Sequence, residues 1–207
     1  MADYASLDEL PYRHVLPRTS AISPHGRLSI GGCDVRELVQ EFGTPLYVFD
    51  EADFRSTCRE YRAEFEARWR EVRILYAAKA YLCRPLAQIV AEEGLGMDAV
   101  SGGELSVARA AGFPMERVYF HGNNKGPDEL ALAVEAGVGR VVVDNFHELE
   151  LLDLAAGERG LRQPVLLRVS PGIDPHTHAK TTTGVLDSKF GFSIHTGDAH
   201  RAVQLAQ

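Results

Sequence analysis

Short apolar runs alternate with amphipathic stretches from residue 72 to the end of the sequence. Most of these runs are rich in β-branched residues, and each is followed by apolar positions at helical spacing. The predicted strands are 72–77, 95–100, 117–121, 140–144 and 165–170, and the predicted helices are 84–93, 102–111, 127–136, 146–156 and 198–207. This alternation with short connections predicts a parallel sheet that is covered by helices.

The first part of the sequence follows a different pattern. Residues 1–32 contain three separated prolines, so we expect an irregular lead-in there. Residues 34–42 carry apolar side chains at helical spacing, and Gly43 is placed to end that helix. Residues 44–49 predict a strand, and Asp50 is placed to cap an amphipathic helix that runs to about residue 70.

A polar residue stands at or near the carboxyl end of each of the five later strands, about one strand–helix unit after the previous one. These residues are Lys79, Asp98, His121, Asp144 and Arg168. In a closed (β/α)8 barrel the carboxyl ends of the strands form the catalytic rim. A doubly wound open sheet also binds ligands at strand ends, but the even spacing favours the barrel.

The predicted fold class is therefore α/β, a (β/α)8 TIM-type barrel that is incomplete. A whole barrel takes about 250 residues, and the sequence shows about five units. We expect the sequence to be the front portion of a longer protein.

Composition narrows the classes of partner. The chain is 45% hydrophobic and 25% charged, which is ordinary for a globular domain. Its net charge of -7 argues against nucleic acid or an anionic membrane as the main partner. The three cysteines form no C-x-x-C pair, no apolar run is long enough to span a membrane, and no secretory leader is visible, so we expect a cytoplasmic protein.

Lys79 is the first candidate for chemistry. It closes the apolar run 72–77 and is flanked by small residues, so a single amine is presented at the end of a buried strand. A lysine in this place is equally compatible with a solvated charge at a strand boundary.

Several segments, in this order, resemble one family. They are Gly43 to Asp50, Tyr76 to Ala80, Asp98 to Leu105, His121 to Lys125, Arg168-Val169, Pro171 to His178, and Asp187 to Phe192. The sequence is similar to the pyridoxal-phosphate-dependent decarboxylases of the alanine-racemase-like fold, and among them most similar to the diaminopimelate decarboxylases. The resemblance runs from about residue 16 to residue 194.

The resemblance implies a two-part organisation. Residues 1–50 would be a lead-in whose helix and strand associate with a C-terminal β-domain beyond this sequence, and residues 51–207 would be a partial pyridoxal-phosphate-binding barrel. It also implies a homodimer with active sites shared across the interface. Lys79 matches the lysine that holds pyridoxal 5'-phosphate as a Schiff base, and we expect burial between Ala78 and Ala80 to desolvate its amine.

The implied reaction is decarboxylation of meso-2,6-diaminopimelate to L-lysine and carbon dioxide, the last step of lysine biosynthesis by that route. Alternatives stay open: an ornithine- or arginine-type decarboxylase, or a non-catalytic cofactor-binding barrel that regulates a partner. The groups expected to hold the phosphate and the pyridine nitrogen would lie beyond residue 207. The isolated chain is therefore expected to be inactive, an expectation that turnover by the fragment would overturn.

The resemblance also implies roles for other residues at the strand ends. Asp98, Ser101 and His121 would lie near the cofactor, with Glu104 beside them, although capping of the helix at 102–111 or of a strand explains them equally well. Arg168 would approach the cofactor, and an ion pair with Asp144 is the alternative. Asp144 itself is better explained as a cap for the following helix.

Three candidates follow the last predicted strand. His176 and His178 would belong to a substrate loop. Two imidazoles without a third ligand nearby in the sequence do not make a metal site, so no metal is predicted. Lys189 matches a position at the dimer interface, and a surface lysine is the alternative.

Overall fold

The computed structural model describes residues 6–10, 12–173 and 190–207. The chain divides into two compact units, Met1–Val72 and Arg73–Gln207. The predicted domain boundary at residue 50 stays a prediction.

The first unit holds a small antiparallel sheet in which β2 pairs with both β1 and β3. Short helical turns at Leu7–Glu9 and Arg13–Val15 precede it, and its strands and helices are β1 Ala21–Ile22, β2 Leu28–Ile30, β3 Cys33–Asp34, α1 Val35–Phe42 and α2 Glu51–Glu66. The prediction of an irregular lead-in over residues 1–32 was therefore wrong. Strands of two or three residues are too short to show a period of two in the sequence.

The helices of this unit begin as predicted, whereas α2 ends at Glu66, earlier than the predicted end near residue 70. The Asp34 carboxylate accepts the Arg36 N–H, and the Asp50 carboxylate accepts the Asp53 N–H. Gly43 ends α1 with a positive φ of 78°. The strand predicted at 44–49 was wrong: the segment forms no ladder with any described residue, and a short apolar run alone cannot supply a pairing partner.

The second unit is built on a five-stranded parallel sheet with the order β4-β5-β6-β7-β8. Its strands are β4 Leu75–Ala77, β5 Gly96–Ala99, β6 Val118–Phe120, β7 Arg140–Val143 and β8 Val165–Leu167. Strands that follow one another in the chain are neighbours throughout, as in a (β/α)8 barrel, whereas a doubly wound sheet reverses its order at a switch point. The predicted incomplete barrel is confirmed.

Helices connect the strands and pack in the same sequence. They are α3 Arg84–Glu92, α4 Gly102–Ala110, α5 Pro127–Ala136, α6 Phe146–Gly157 and α7 Asp198–Leu205. The core between sheet and helices includes Phe120, Met97 and Leu86, which are almost completely buried. The strands are apolar because both of their faces are covered.

The strand β10 Phe192–Ser193 was not predicted. It pairs in parallel with β9 Val169–Ser170, which follows β8 directly after Arg168 and lies within the predicted strand 165–170. The Arg168 N–H donates to the Val143 carbonyl, and the Arg168 carbonyl accepts the Phe192 N–H, so Arg168 joins the two ladders. The buried Phe192 ring meets Phe146 of α6 edge-on at 4.9 Å between centroids. Two residues are again too few for a pattern in the sequence.

Within the described residues, no helix is both long and apolar enough to cross a membrane.

Candidate active site

The predicted polar residues lie together at the carboxyl ends of the parallel strands. Ala77 of β4 lies opposite Asp98 of β5, and Asp98 lies opposite Tyr119 of β6. His121 directly follows β6, and its N–H donates to the Ala99 carbonyl at 2.7 Å. We call this end of the sheet the rim.

Lys79 lies in a short helical turn, Ala78–Ala80, immediately after β4. Its side chain is exposed among the described residues, where β4 has a neighbouring strand on one side only. The expected desolvation of its amine stays a prediction for the complete protein. Exposure leaves the amine reachable by a carbonyl compound that arrives at the rim.

Asp98 and His121 form a half-buried pair beside Lys79. The Asp98 Oδ1 atom lies 3.8 Å from His121 Nε2. Burial raises the pKa of Asp98, an effect that the charges of His121 and Lys79 oppose. Burial lowers the pKa of His121, and the positive charges of Lys125, Arg168 and Lys79 lower it further while Asp98 opposes them. Both shifts favour the neutral forms, and the 3.8 Å between Oδ1 and Nε2 is longer than a hydrogen bond, so each atom can meet a polar group of a bound molecule.

Ser101 and Glu104 cap α4. The Ser101 Oγ accepts the Glu104 N–H at 3.2 Å, and the Glu104 Oε2 accepts the Val100 N–H at 2.6 Å. The capping alternative thus accounts for both side chains, whereas Asp98 takes no part in the cap. A contact of Ser101 with a cofactor stays a prediction.

Arg168 is held from two sides. Its Nη1 lies 3.2 Å from the Asp144 Oδ1, and its guanidinium lies over the Phe190 ring, 4.1 Å from the centroid. Asp144 is buried, and its other oxygen accepts the Gly191 N–H at 3.2 Å. The Asp144 ion pair, which was the alternative explanation for Arg168, is therefore present. About a third of the Arg168 side chain remains exposed at the rim.

The prediction that Asp144 caps the following helix was wrong. Asn145 is the cap of α6, and its Oδ1 accepts the Glu148 N–H at 2.9 Å. The Asp144 carboxylate instead accepts hydrogen bonds from the Arg168 guanidinium and the Gly191 N–H. The one-residue shift matters because an adjacent residue on an extended backbone points the opposite way.

Gly191 is required by the way the chain returns to Arg168. Its φ is +75°, and a Cβ atom added there would lie 2.7 Å from the Arg168 carbonyl oxygen. We expect Gly191→Ala to lower the free energy of unfolding by about 1–3 kcal/mol more than a glycine substitution in open space, because the clash involves backbone. Chemical denaturation of the two variants measures the difference.

Gly160→Ala is the matched control for this prediction. Gly160 has a similar φ of +62°, and nothing lies within 4 Å of its added Cβ. Both variants carry the left-handed strain, so only the Arg168 contact differs between them. Equal losses of stability in the two variants would contradict the prediction.

Lys125 and Glu148 form a buried ion pair behind the rim that the sequence did not reveal. The Lys125 Nζ lies 2.9 Å from the Glu148 Oε1, with their side chains 1% and 2% exposed. Burial lowers the pKa of Lys125 and raises that of Glu148, and each partner's charge opposes the other's shift. The sequence offered one hint of this pair, since Lys125 stands inside the family motif His121 to Lys125. That motif gave no indication that Lys125 is buried.

The described residues therefore contain two lysines in contrasting settings. Lys79 is exposed at the rim, whereas Lys125 is enclosed by its partners. Of the two, only Lys79 offers a reachable amine. His176, His178 and Lys189 lie outside the described residues.

A cavity in the described residues lies away from this chemistry. It has a volume of about 790 Å³ and is lined by α6, the end of α7 and the amino-terminal ends of β7 and β8. The rim is at the opposite ends of these strands. We place the site at the rim because the titratable groups converge there.

Residues 51–207 match the family model described as pyridoxal-dependent decarboxylase, pyridoxal binding domain. The chain belongs to this family. The matched region contains every rim residue named above. The cofactor of the family is pyridoxal phosphate, in agreement with the predicted cofactor.

Curated members of the pyridoxal-dependent decarboxylase family are similar along most of this chain. A diaminopimelate decarboxylase from Bacillus methanolicus is 46% identical over 188 residues, which are 91% of this chain and 44% of that protein. One from Mycobacterium tuberculosis (strain ATCC 25618 / H37Rv) is 48% identical over 191 residues, which are 92% of this chain and 42% of that protein. The chain thus spans less than half the length of the curated relatives it matches.

Solved structures agree with this placement. The diaminopimelate decarboxylase of M. jannaschii in co-complex with L-lysine superposes with a TM-score of 0.80 at 34% identity, covering 92% of this chain and 44% of that one. A lysine/ornithine decarboxylase from Vibrio vulnificus, complexed with putrescine, superposes with a TM-score of 0.51 at 22% identity, covering 63% of this chain and 34% of that one. The second likeness concerns the fold alone.

The rim residues fit one part of pyridoxal phosphate. Lys79 offers a reachable amine for the aldehyde, and the buried Asp98 Oδ1 has no hydrogen-bond partner among the described residues. Such an atom is available to a polar group of a bound molecule. Arg168 adds a partly exposed cation at the rim.

Proposed function

We propose that the complete gene product decarboxylates meso-2,6-diaminopimelate to L-lysine and carbon dioxide with pyridoxal 5'-phosphate. The observation that carries the proposal is the rim itself, where the reachable Lys79 amine stands beside the Asp98–His121 pair. Relatives named diaminopimelate decarboxylase at 46–48% identity support the substrate class.

Each rim residue has a role that follows from its setting. When bound, pyridoxal phosphate supplies an electron sink for the electron pair released with carbon dioxide. Lys79, whose side chain is exposed among the described residues, would hold the cofactor through Nζ. Asp98 and His121 would present a carboxyl and an imidazole to the bound molecule, and Arg168 presents a fixed positive charge. Asp144 and Phe190 orient that charge.

The remaining proposals concern the whole protein. We propose that residues 1–50 associate with a C-terminal β-domain, that two copies form a homodimer with Lys189 at the interface, and that His176 and His178 belong to a substrate loop. We also propose that the protein is cytoplasmic and that Ser101 lies at the edge of the cofactor site. These proposals come from the family resemblance of the motifs.

The experiment is chemical mapping followed by an assay of product. The complete gene product is mixed with pyridoxal phosphate, its absorption spectrum is recorded, and borohydride then fixes the cofactor to its lysine. We expect peptide mapping to find the adduct on Lys79 and not on the buried Lys125. We expect lysine to be released from meso-diaminopimelate and no amine to be released from ornithine or arginine.

Each other outcome has a distinct meaning. An adduct on Lys79 with release of amine from ornithine or arginine would overturn the substrate but keep the chemistry. An adduct with no turnover of any of the three would favour a non-catalytic cofactor-binding relative. An adduct elsewhere than Lys79 would overturn the assignment of the site.

A further inference from the structure

The Lys125 side chain connects two adjacent rim segments. Its Nζ donates to the Gly122 carbonyl at 2.6 Å and to the Val142 carbonyl at 2.9 Å, and the Glu148 carboxylate is the third oxygen group around it. Gly122 directly follows His121, and Val142 belongs to β7. The loop after β6 is thereby tied to the neighbouring strand.

The loop is built to let the lysine fold back. Gly122 has a φ of +122°, and an added Cβ would lie 3.4 Å from both the Lys125 Cγ and the Val100 carbonyl oxygen. The ammonium group also lies 5.5 Å from the centroid of the buried Phe120 ring. A side chain at 122 would be strained by this φ and would contact the lysine that fixes this loop.

Glu148 carries the connection onward. Its Oε2 accepts the Asp144 N–H at 3.1 Å. The Asp144 carboxylate in turn binds the Arg168 guanidinium and the Gly191 N–H. A continuous series of contacts thus leads from the backbone beside His121, through the Lys125–Glu148 pair, to Arg168.

Burial of the Lys125–Glu148 ion pair removes two charges from water, which costs free energy. Apolar residues of similar volume at a buried ion pair are often as stabilising or more so, whereas removal of one partner is strongly destabilising. What an apolar pair cannot do is satisfy the Gly122 and Val142 carbonyls and the Asp144 N–H at the same time. The charges therefore fix the geometry of the rim backbone.

We propose that Lys125 and Glu148 are positioning residues, which hold His121 and Arg168 in the arrangement that the cofactor requires. The proposal deepens the proposed function and rests on it for the cofactor. A second consequence is independent of any ligand: Lys125 supplies one of the positive charges that face His121, together with Lys79 and Arg168, against the negative charge of Asp98.

The test compares Lys125→Met with Phe113→Ala in the complete gene product. Phe113 is buried in the connection between α4 and β6, at the opposite end of the sheet, so its truncation costs stability without touching the rim. We expect Lys125→Met to weaken pyridoxal phosphate binding about 10-fold or more, and Phe113→Ala to change it less than about 2-fold, at a temperature where both are folded.

A measurement without cofactor separates this proposal from the proposed function. In an NMR titration of the cofactor-free protein, the His121 pKa should rise in Lys125→Met, because a cation that disfavours imidazolium has been removed. It should stay unchanged in Phe113→Ala. Glu148→Gln, which preserves volume, is the second variant if Lys125→Met does not fold, and it should weaken cofactor binding as well.

Two results would overturn the proposal. One is unchanged cofactor affinity in Lys125→Met or in Glu148→Gln. The other is an equal loss of affinity in Phe113→Ala, which would reduce the pair to a structural role. If the unaltered protein binds no pyridoxal phosphate, the proposed function fails while the His121 titration still decides whether Lys125 acts on the rim.

Discussion

Lys79→Ala in the complete gene product is expected to lower the rate of decarboxylation by about 10⁴-fold or more. The variant removes the reachable amine at the end of β4, whereas Lys125 is enclosed by Glu148 and two carbonyl groups and cannot replace it. The fold should be unaffected, because an exposed side chain on a helical turn contributes little to packing. The measurement is release of carbon dioxide from meso-diaminopimelate, together with circular dichroism.

Arg162→Ala is the control for loss of a single positive charge. Arg162 is exposed in the connection between α6 and β8, at the far end of the sheet from the rim. Its removal should leave the rate within about 2-fold of the unaltered protein. A Lys79→Ala variant that retains a tenth of the activity or more would contradict the assignment of Lys79.

The second large effect concerns stability. Lys125→Met should lower the free energy of unfolding by about 3–5 kcal/mol, because it leaves the Glu148 carboxylate buried without its counter-charge. The apolar double variant Lys125→Met/Glu148→Leu should lose less than Lys125→Met alone, since the unpaired charge is gone. It should not reach the stability of the unaltered protein, because the Gly122 and Val142 carbonyls and the Asp144 N–H lose their partners.

Denaturant unfolding of the single and double variants measures these differences. The exposed pair between Arg109 and Glu135, at 3.1 Å with both side chains more than half exposed, is the matched control. Arg109→Met should change the free energy of unfolding by about 1 kcal/mol or less. A loss for Lys125→Met no larger than that for Arg109→Met would show that burial of the pair contributes little.

Local patterns in the sequence predicted much of the second unit. The apolar runs at 95–100 and 140–144 became β5 Gly96–Ala99 and β7 Arg140–Val143, because a strand covered on both faces must be apolar along its length. The even placement of polar residues after these strands predicted the rim. The same approach failed at β1, β3 and β10, where two residues carry no period. It also failed at residues 44–49, an apolar run that pairs with no strand among the described residues.

The contacts that orient the site were beyond the sequence. Phe190 and Gly191 lie more than twenty residues from Arg168, yet the chain returns so that a ring covers the guanidinium and an N–H reaches Asp144. The sequence pointed to Asp144 as the cap of α6, whereas the backbone directs the neighbouring Asn145 to that role. Residue type alone does not carry such directions.

The sequence by itself determined the alternation of strands and helices from β4 to β8, the rim residues and the family, since these depend on periodicity and on motifs of adjacent residues. Only the tertiary structure decided which lysine is reachable and which is buried. Among the described residues Lys79 is exposed after β4, whereas Lys125 is enclosed because Val142 and Glu148 come from the next strand and helix. Burial depends on neighbours distant in the chain, and for that reason the protonation and position of His121 are properties of the folded rim.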